Sequence, residues 1–188
     1  MKIAVIPNLT REQAKKTTEQ VVEELKKHGC EIVLADYCEE EFSSDSTLLF
    51  SDTDSAIEQA DVIIAIGGDG TILRIGKIAA KYSKPILGIN AGRLAFMAGL
   101  ERHELDLLGK LFTGEYKTDK RMMLEVLIFD ETGLCTGRHN CINDAVFSRK
   151  TNRTIIEITV ESNGKLKGIS IVTQPYPGFA TDMQPQFA

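Results

Sequence analysis

The run Ile3-Ala-Val-Ile6 places apolar side chains at consecutive rather than alternate positions, which predicts a strand over residues 2–7 buried on both faces. Thr10-x-x-Gln13 has the spacing of a capping box, and Ala14, Val21, Val22 and Leu25 follow at helical spacing up to Gly29, where a C-cap glycine belongs. Glu31 to Ala35 reads as a second strand. Residues 37–55 are polar, acidic and rich in Ser and Asp, and read as a loop, with a short helix expected over 54–60. Asp61 to Ile66 is a third, strongly apolar strand. A glycine-rich turn, Gly67 to Thr71, leads into a helix whose apolar face is Ile72, Leu73, Ile75, Ile78 and Ala79. Pro85 to Asn90 predicts a fourth strand and Glu101 to Phe112 another helix. Strands alternating with helices argue for a parallel, Rossmann-like sheet covered on both faces, an α/β domain over residues 1–118.

The pattern then changes. Arg121 to Phe129, Gly137 to Ser148 and Thr154 to Ser162 are β-rich, with turn signals at Asp130-Glu-Thr-Gly133 and Asn163-Gly164 and no helical period between them. This predicts the start of an antiparallel β domain over 119–164. Three strands are too few for a closed core, so the domain is expected to be truncated, with 165–188 a tail of different character.

Composition narrows the function classes. The chain has 188 residues, 43% hydrophobic and 26% charged, with a net charge of -5, 6% aromatics and no Trp. Nucleic-acid binders normally carry a basic surplus and stacking aromatics, so none is expected as a partner. The longest apolar run, Val62 to Ile66, is far short of the roughly 20 residues of a membrane-spanning helix, so no membrane partner is expected either. The first residues lack the features of a secretion signal, and Cys30, Cys38, Cys135 and Cys141 show no C-x-x-C spacing; reduced thiols in a cytoplasm are the expectation. On a strand, Cys135, His139 and Cys141 would share a face. A structural zinc site needs a fourth ligand and usually a tight turn between cysteines, so a half-buried strand is favoured and no side-chain metal site is assigned.

The strongest chemical signal is Ile63-Ile-Ala-Ile-Gly67-Gly68-Asp69-Gly70-Thr71, a buried strand running into a glycine turn and a helix. Glycines let backbone N–H groups approach a phosphate, and a helix N-terminus adds partial positive charge. The pattern is neither a Walker A loop nor G-x-G-x-x-G. A carboxylate in such a turn repels phosphate, so Asp69 reads as a general base for a substrate hydroxyl or a divalent-cation ligand. The other reading is that Asp69 only caps a helix beginning at Thr71.

Gly67-Gly-Asp-Gly-Thr71 after an apolar strand, then Gly88-Ile-Asn-Ala-Gly-Arg-Leu-Ala-Phe-Met97 and Ile142-Asn-Asp-Ala-Val146, together resemble the NAD kinase family over residues 1 to about 165. The first motif is shared with diacylglycerol-kinase-like and phosphofructokinase-like enzymes; the other two narrow the match. The resemblance implies ATP-dependent phosphorylation of the adenosine ribose 2′-hydroxyl of NAD to give NADP, with ATP or polyphosphate as donor and Mg²⁺ or another divalent cation. It implies Asp69 as catalytic base and Asp69, Gly70, Arg74, Phe96, Asn143 and Asp144 as NAD-binding. Gly67, Gly68 and Thr71 would form the phosphate turn. From the residues alone, Arg74 also reads as a solvated helix side chain and Phe96 as a core residue, whereas an Asn-Asp pair in an apolar strand is odd for packing. The family also implies a homo-oligomer built through the β domain, which a truncated β domain puts in doubt.

After Gly164 the resemblance fails. Gly168 to Thr173 overlays a family strand, but Lys167 stands where an acid is expected, and the Thr-Gly-Ser-Thr-Ala-Tyr-Ser segment that closes over NAD is absent. Pro175-Tyr-Pro-Gly-Phe-Ala-Thr-Asp-Met-Gln-Pro-Gln186 is instead similar to a segment of UDP-N-acetylglucosamine enolpyruvyl transferase, of which this chain has too little for activity. Two alternatives therefore stand beside an active NAD kinase. One is a catalytically inactive fragment or fusion product of such an enzyme. The other is a lipid or sugar kinase sharing the glycine turn, against which the second and third motifs argue.

Overall fold

In a computed structural model of the chain, residues 1–93, 95–142, 145, 161–162 and 165–166 are described. The chain divides into two compact units, Met1–Asn143 and Asp144–Ala188. The first is built on six strands: β1 (Lys2–Pro7), β2 (Glu31–Ala35), β3 (Leu49–Ser51), β4 (Val62–Gly67), β5 (Ile86–Asn90) and β6 (Leu100–Glu101). They lie in the order β3-β2-β1-β4-β5-β6, and every pairing is parallel. Five helices accompany them: α1 (Glu12–Lys26), α2 (Glu39–Phe42), α3 (Thr53–Gln59), α4 (Asp69–Lys81) and α5 (Lys110–Thr113).

The unbroken apolar runs of β1 and β4 have the expected consequence. These strands pair in the sheet centre from Ile3↔Val62 to Pro7↔Ile66, and Ile3, Val5, Ile63, Ile64 and Ile66 are fully buried. Helix α1 covers the sheet with Ala14, Val21, Val22 and Leu25. Thr17 and Thr18 on the same face are satisfied because their hydroxyls donate to the carbonyls of Gln13 and Ala14, at 2.8 and 2.7 Å. From β1 the chain steps to β2 and β3 on one side, then returns to β4 on the other. The loops leaving β1 and β4 therefore diverge and open a crevice at the carboxyl edge of the sheet.

Four local expectations are corrected. No side chain caps α1, which begins at Glu12 with Arg11 in the cap position; the Thr10 hydroxyl donates instead to Asn8 Oδ1 at 2.7 Å, in a turn directly after β1. Residues 37–55 are not a loop. They contain a single 3-10 turn, α2, β3 and the start of α3, because Phe42 and Leu48 reach the core and β3 pairs with β2 from Val33↔Leu49 to Ala35↔Ser51. Asp52 caps α3 by accepting the Ser55 N–H at 3.0 Å. The helix expected over 101–112 is instead the sixth strand, a 3-10 segment (Leu105–Gly109) and the short α5, since Leu100 and Glu101 can pair with Ile89 and Asn90 at the open sheet edge. Finally, α4 begins at Asp69, not Thr71, with Gly68 as N-cap.

Beyond the sheet, β7 (Leu124–Phe129) and β8 (Cys135–Cys141) form an antiparallel pair. Asp130 holds the connecting turn by accepting from the backbone N–H groups of Thr132 and Leu134. A register shift between Ile128 and Phe129 interrupts the alternation that would have aligned Cys135 with His139 and Cys141. In the second unit β9 (Glu161–Ser162) pairs antiparallel with β10 (Lys165–Leu166), Ser162 facing Lys165, the register of a two-residue connection. The strands expected over 143–148 and 154–160 lie outside the described residues, apart from position 145, as does the tail beyond 166. Among the described residues no helix is long and apolar enough to cross a membrane.

Candidate active site

The loops leaving β1 and β4 shape the crevice. Asn8, the first residue past β1, donates its backbone N–H to the Ile66 carbonyl at 2.9 Å and its side-chain amide to Thr71 Oγ1 at 3.3 Å, tying the two loops together. Gly67, the last residue of β4, sits under the first turn of α4. A side-chain carbon there would lie 2.6 Å from Thr71 Oγ1, so only glycine lets the helix start this close to the strand. Gly67 is buried and does not face the crevice. That role belongs to Gly68, Gly70 and Thr71, which line a cleft of ≈350 Å³ together with Asn8, Arg11 and Arg74.

The chemistry of this lining is one-sided. Its two charged members are both guanidinium groups, and no acidic residue is among the described residues that line it. The N-terminus of α4, a 13-residue helix, also points its free N–H groups and partial positive charge here. Glycines beside it leave the backbone bare. Such a site suits a phosphate or another compact anion. Arg74 additionally lies beside Tyr37, whose hydroxyl donates to the Pro7 carbonyl at 2.8 Å. Removal from water pushes that hydroxyl up to about 12, with Arg74 pulling in the opposite direction, so Tyr37 remains a neutral donor at physiological pH.

Asp69 occupies the first turn of α4, but its side chain does not cap that helix. Its carboxylate accepts the backbone N–H of Phe96 at 3.1 Å through Oδ2 and that of Met97 at 2.8 Å through Oδ1. The glycine motif and the Phe96 motif are thus joined by a carboxylate held at a fixed orientation. Phe96 itself is 82% exposed, which removes the core reading of this residue. Asn143 and Asp144 lie outside the described residues; Ile142 directly before them packs against α4, its Cδ1 3.0 Å from where a side chain on Gly76 would begin.

The structure therefore brings together Gly68, Asp69, Gly70, Thr71 and Arg74, and adds Phe96 through its backbone. Asn8 and Arg11 are not singled out by the sequence, although polar residues within four positions of a buried first strand are a readable signal. As to metals, no group of three or more His, Cys, Asp or Glu is positioned to hold an ion among the described residues, and both Asp69 oxygens already accept N–H bonds.

Comparison with known proteins bears on the family and the fold. The family model described as the ATP-NAD kinase N-terminal domain matches residues 3–116. Similar proteins include an NAD kinase of Natranaerobius thermophilus, 30% identical over 177 residues, covering 94% of this chain and 59% of that protein. An alignment of that extent enters residues 165–188. An NAD kinase of Thermoanaerobacter sp. (strain X514) is 34% identical over 155 residues, 79% of this chain and 52% of the relative. The chain thus spans a little over half the length of the curated relatives it matches. Among solved structures, a yeast NADH kinase crystallised with NADH superposes with a TM-score of 0.68 at 16% identity, over 76% of this chain and 47% of the other, a likeness of fold.

Proposed function

The chain belongs to the NAD kinase family, and on that premise we propose that it contributes the phosphoryl-transfer half of an enzyme that phosphorylates the adenosine ribose 2′-hydroxyl of NAD at the expense of ATP. One observation carries this reading: a fixed carboxylate, Asp69, stands at the N-terminus of the helix that also faces an arginine-lined cleft. The donor's terminal phosphates lie against Gly68, Gly70 and Thr71, where α4 and Arg74 offset their charge. The ribose hydroxyl approaches Asp69. Its oxygen attacks the terminal phosphorus, the bond from that phosphorus to the bridging oxygen breaks, and the hydroxyl proton passes to the Asp69 carboxylate. The N–H groups of Phe96 and Met97 keep that carboxylate aimed during transfer.

Gly70 and Arg74 are assigned to the junction of the two substrates, serving NAD as well as the donor phosphates, and the exposed Phe96 ring to the NAD side, with Asn143 and Asp144. The divalent cation is assigned to the donor phosphates. We place the enzyme in the cytoplasm, with NAD and ATP rather than nucleic acid or membrane as partners, and any self-association in its β region. The division into 1–118, 119–164 and 165–188 is retained as a functional one. The segment similar to UDP-N-acetylglucosamine enolpyruvyl transferase, Pro175 to Gln186, is assigned no role.

A second reading is an inactive fragment of such an enzyme. Incubating this chain with ATP, Mg²⁺ and NAD and measuring NADP separates the two: sustained turnover excludes the inactive fragment. Asp69→Asn is expected to lower turnover by about 100-fold or more while NAD affinity changes by less than about threefold. Unchanged turnover in that variant would remove Asp69 from the catalytic role.

A further inference from the structure

A second cleft, of ≈440 Å³, lies next to the first and shares Arg11 with it; Gln13, Ala91, Gly92, Arg93 and Arg102 complete its lining. Three guanidinium groups from three different segments meet here: the start of α1, the loop after β5 and the residue following β6. Their meeting is built into the fold. Asn90, only 2% exposed, accepts the Gly92 N–H at 2.8 Å and donates its amide to both Glu101 oxygens at 3.1 Å, which clamps the Ala91–Arg93 loop to the strand that ends just before Arg102. The Ala91 N–H bonds the Gly67 carbonyl at 3.0 Å, fixing the same loop to the end of β4. Gly92 leaves room for Arg11, whose Nη1 lies 3.2 Å from where a side chain on Gly92 would begin.

The charges are unbalanced in an informative way. Six lysines, Lys2, Lys15, Lys16, Lys26, Lys27 and Lys81, pair with carboxylates away from these clefts. Among the described residues, no ion pair includes Arg11, Arg74, Arg93 or Arg102. Glu101, the carboxylate next to Arg102 in sequence, accepts from Asn90 instead. In a chain of net charge -5, these four arginines lie along one sheet edge without an ion pair among the described residues. Guanidinium groups held together repel one another, and their planar forks match phosphate oxygens.

We propose that Arg11, Arg93 and Arg102 form a second anion subsite, which holds the part of a linear phosphate chain that extends past the phosphates bound at Gly68–Thr71. This rests on the reading of the first cleft as the donor site. Arg11 bridges the two positions, and Arg93 and Arg102 set the length of phosphate chain that binds well. A single phosphate or pyrophosphate fills the first cleft alone, and a longer chain, from a nucleoside triphosphate or from inorganic polyphosphate, engages both.

The test is calorimetric titration of the full chain, at fixed ionic strength, with pyrophosphate, tripolyphosphate, ATP and a long linear polyphosphate. Affinity is expected to rise at least tenfold from pyrophosphate to the longest chain, about one charge-assisted contact's worth. Arg93→Gln and Arg102→Gln are expected to weaken long-chain binding about tenfold each and pyrophosphate binding less than twofold, whereas Arg74→Gln weakens both ligands alike. A loss that extends to ATP identifies the nucleotide's own phosphates as the occupant; a loss confined to inorganic chains identifies polyphosphate. Wild-type affinity independent of chain length overturns the proposal without need of any variant. So does an equal loss for pyrophosphate and the long chain. These titrations do not depend on NADP formation: chain-length dependence without turnover would count against the kinase reading and leave the subsite in place.

Discussion

The six-stranded sheet and the β7–β8 hairpin are both rich in apolar residues, and they treat them in opposite ways. In the sheet, Ile3, Ile63, Ile64 and Ile66 are removed from water altogether. In the hairpin, Leu127 and Ile128 remain 39% and 38% exposed, and Phe129 57%. The difference lies in layers rather than composition. A parallel sheet with helices on its faces encloses its own core, whereas a two-stranded ribbon has nothing of its own to cover either face. The first region therefore carries a rigid edge on which a site can be positioned. The second carries an apolar surface that stands open among the described residues.

The comparison is tested most severely by matched truncations. Ile64→Ala in β4 is expected to lower stability by about 2–5 kcal/mol through lost burial and a residual cavity, and Ile128→Ala in β7 by less than about 1 kcal/mol. Denaturant unfolding measures both, and equal losses would break the contrast. Asn90→Ala should follow, at about 1–3 kcal/mol, because it leaves the Gly92 N–H without its buried acceptor and Glu101 without its donor. Gly67→Ala is expected to cost about 1–3 kcal/mol by forcing Thr71 and α4 off the end of β4, while Gly68→Ala, which meets nothing within 4 Å, stays within about 0.5 kcal/mol.

Thiol chemistry sharpens the same contrast at lower energetic cost. Cys38 is fully buried beside the sheet, and burial, aided by Asp36, pushes its thiol up to about 12; Cys135 in the hairpin is exposed. Alkylation of the folded chain at pH 8 should modify Cys135 and spare Cys38 until denaturant is added, which peptide mass spectrometry resolves. The smallest effect is electrostatic. Hydrogen bonds from Lys26 and Thr47 hold the Asp45 carboxyl down at about 2, below the usual value near 3.9 for an aspartate in an unfolded chain. A carboxyl lowered by folding contributes stability above its unfolded value and loses it as the pH falls through the folded one. Asp45→Asn should therefore be slightly destabilising at pH 6, with the deficit shrinking between about pH 4 and pH 2.

Much of this architecture was legible in residue order because its signals are local. The buried strands at 2–7, 31–35 and 62–67 announce themselves by uninterrupted apolar runs, and the Gly-Gly-Asp-Gly turn by a glycine density that a parallel sheet uses in one place. What stayed hidden was non-local. The segment Tyr37–Ser55 reads as loop because β3 is a short edge strand whose structure comes from pairing with β2, not from its own pattern. The segment after Gly99 reads as helix because Leu100 and Glu101 become a strand only where β5 offers an open edge. Thr10 has the spacing of a cap, yet Asn8 takes its hydroxyl, a competition that spacing does not encode.

The sequence by itself determined the class of fold and the presence of a carboxylate within a glycine turn, since apolar periodicity and glycine placement act through the backbone of a few neighbouring residues. Only the tertiary structure decided what Asp69 holds and which cations face the clefts. Asp69 lies 27 and 28 residues from its hydrogen-bond partners, and Arg11, Arg93 and Arg102 come from separate loops that the strand order alone brings to one edge. Directed bonds and like-charge clusters between distant segments depend on where the chain returns, and that is set by how the sheet packs.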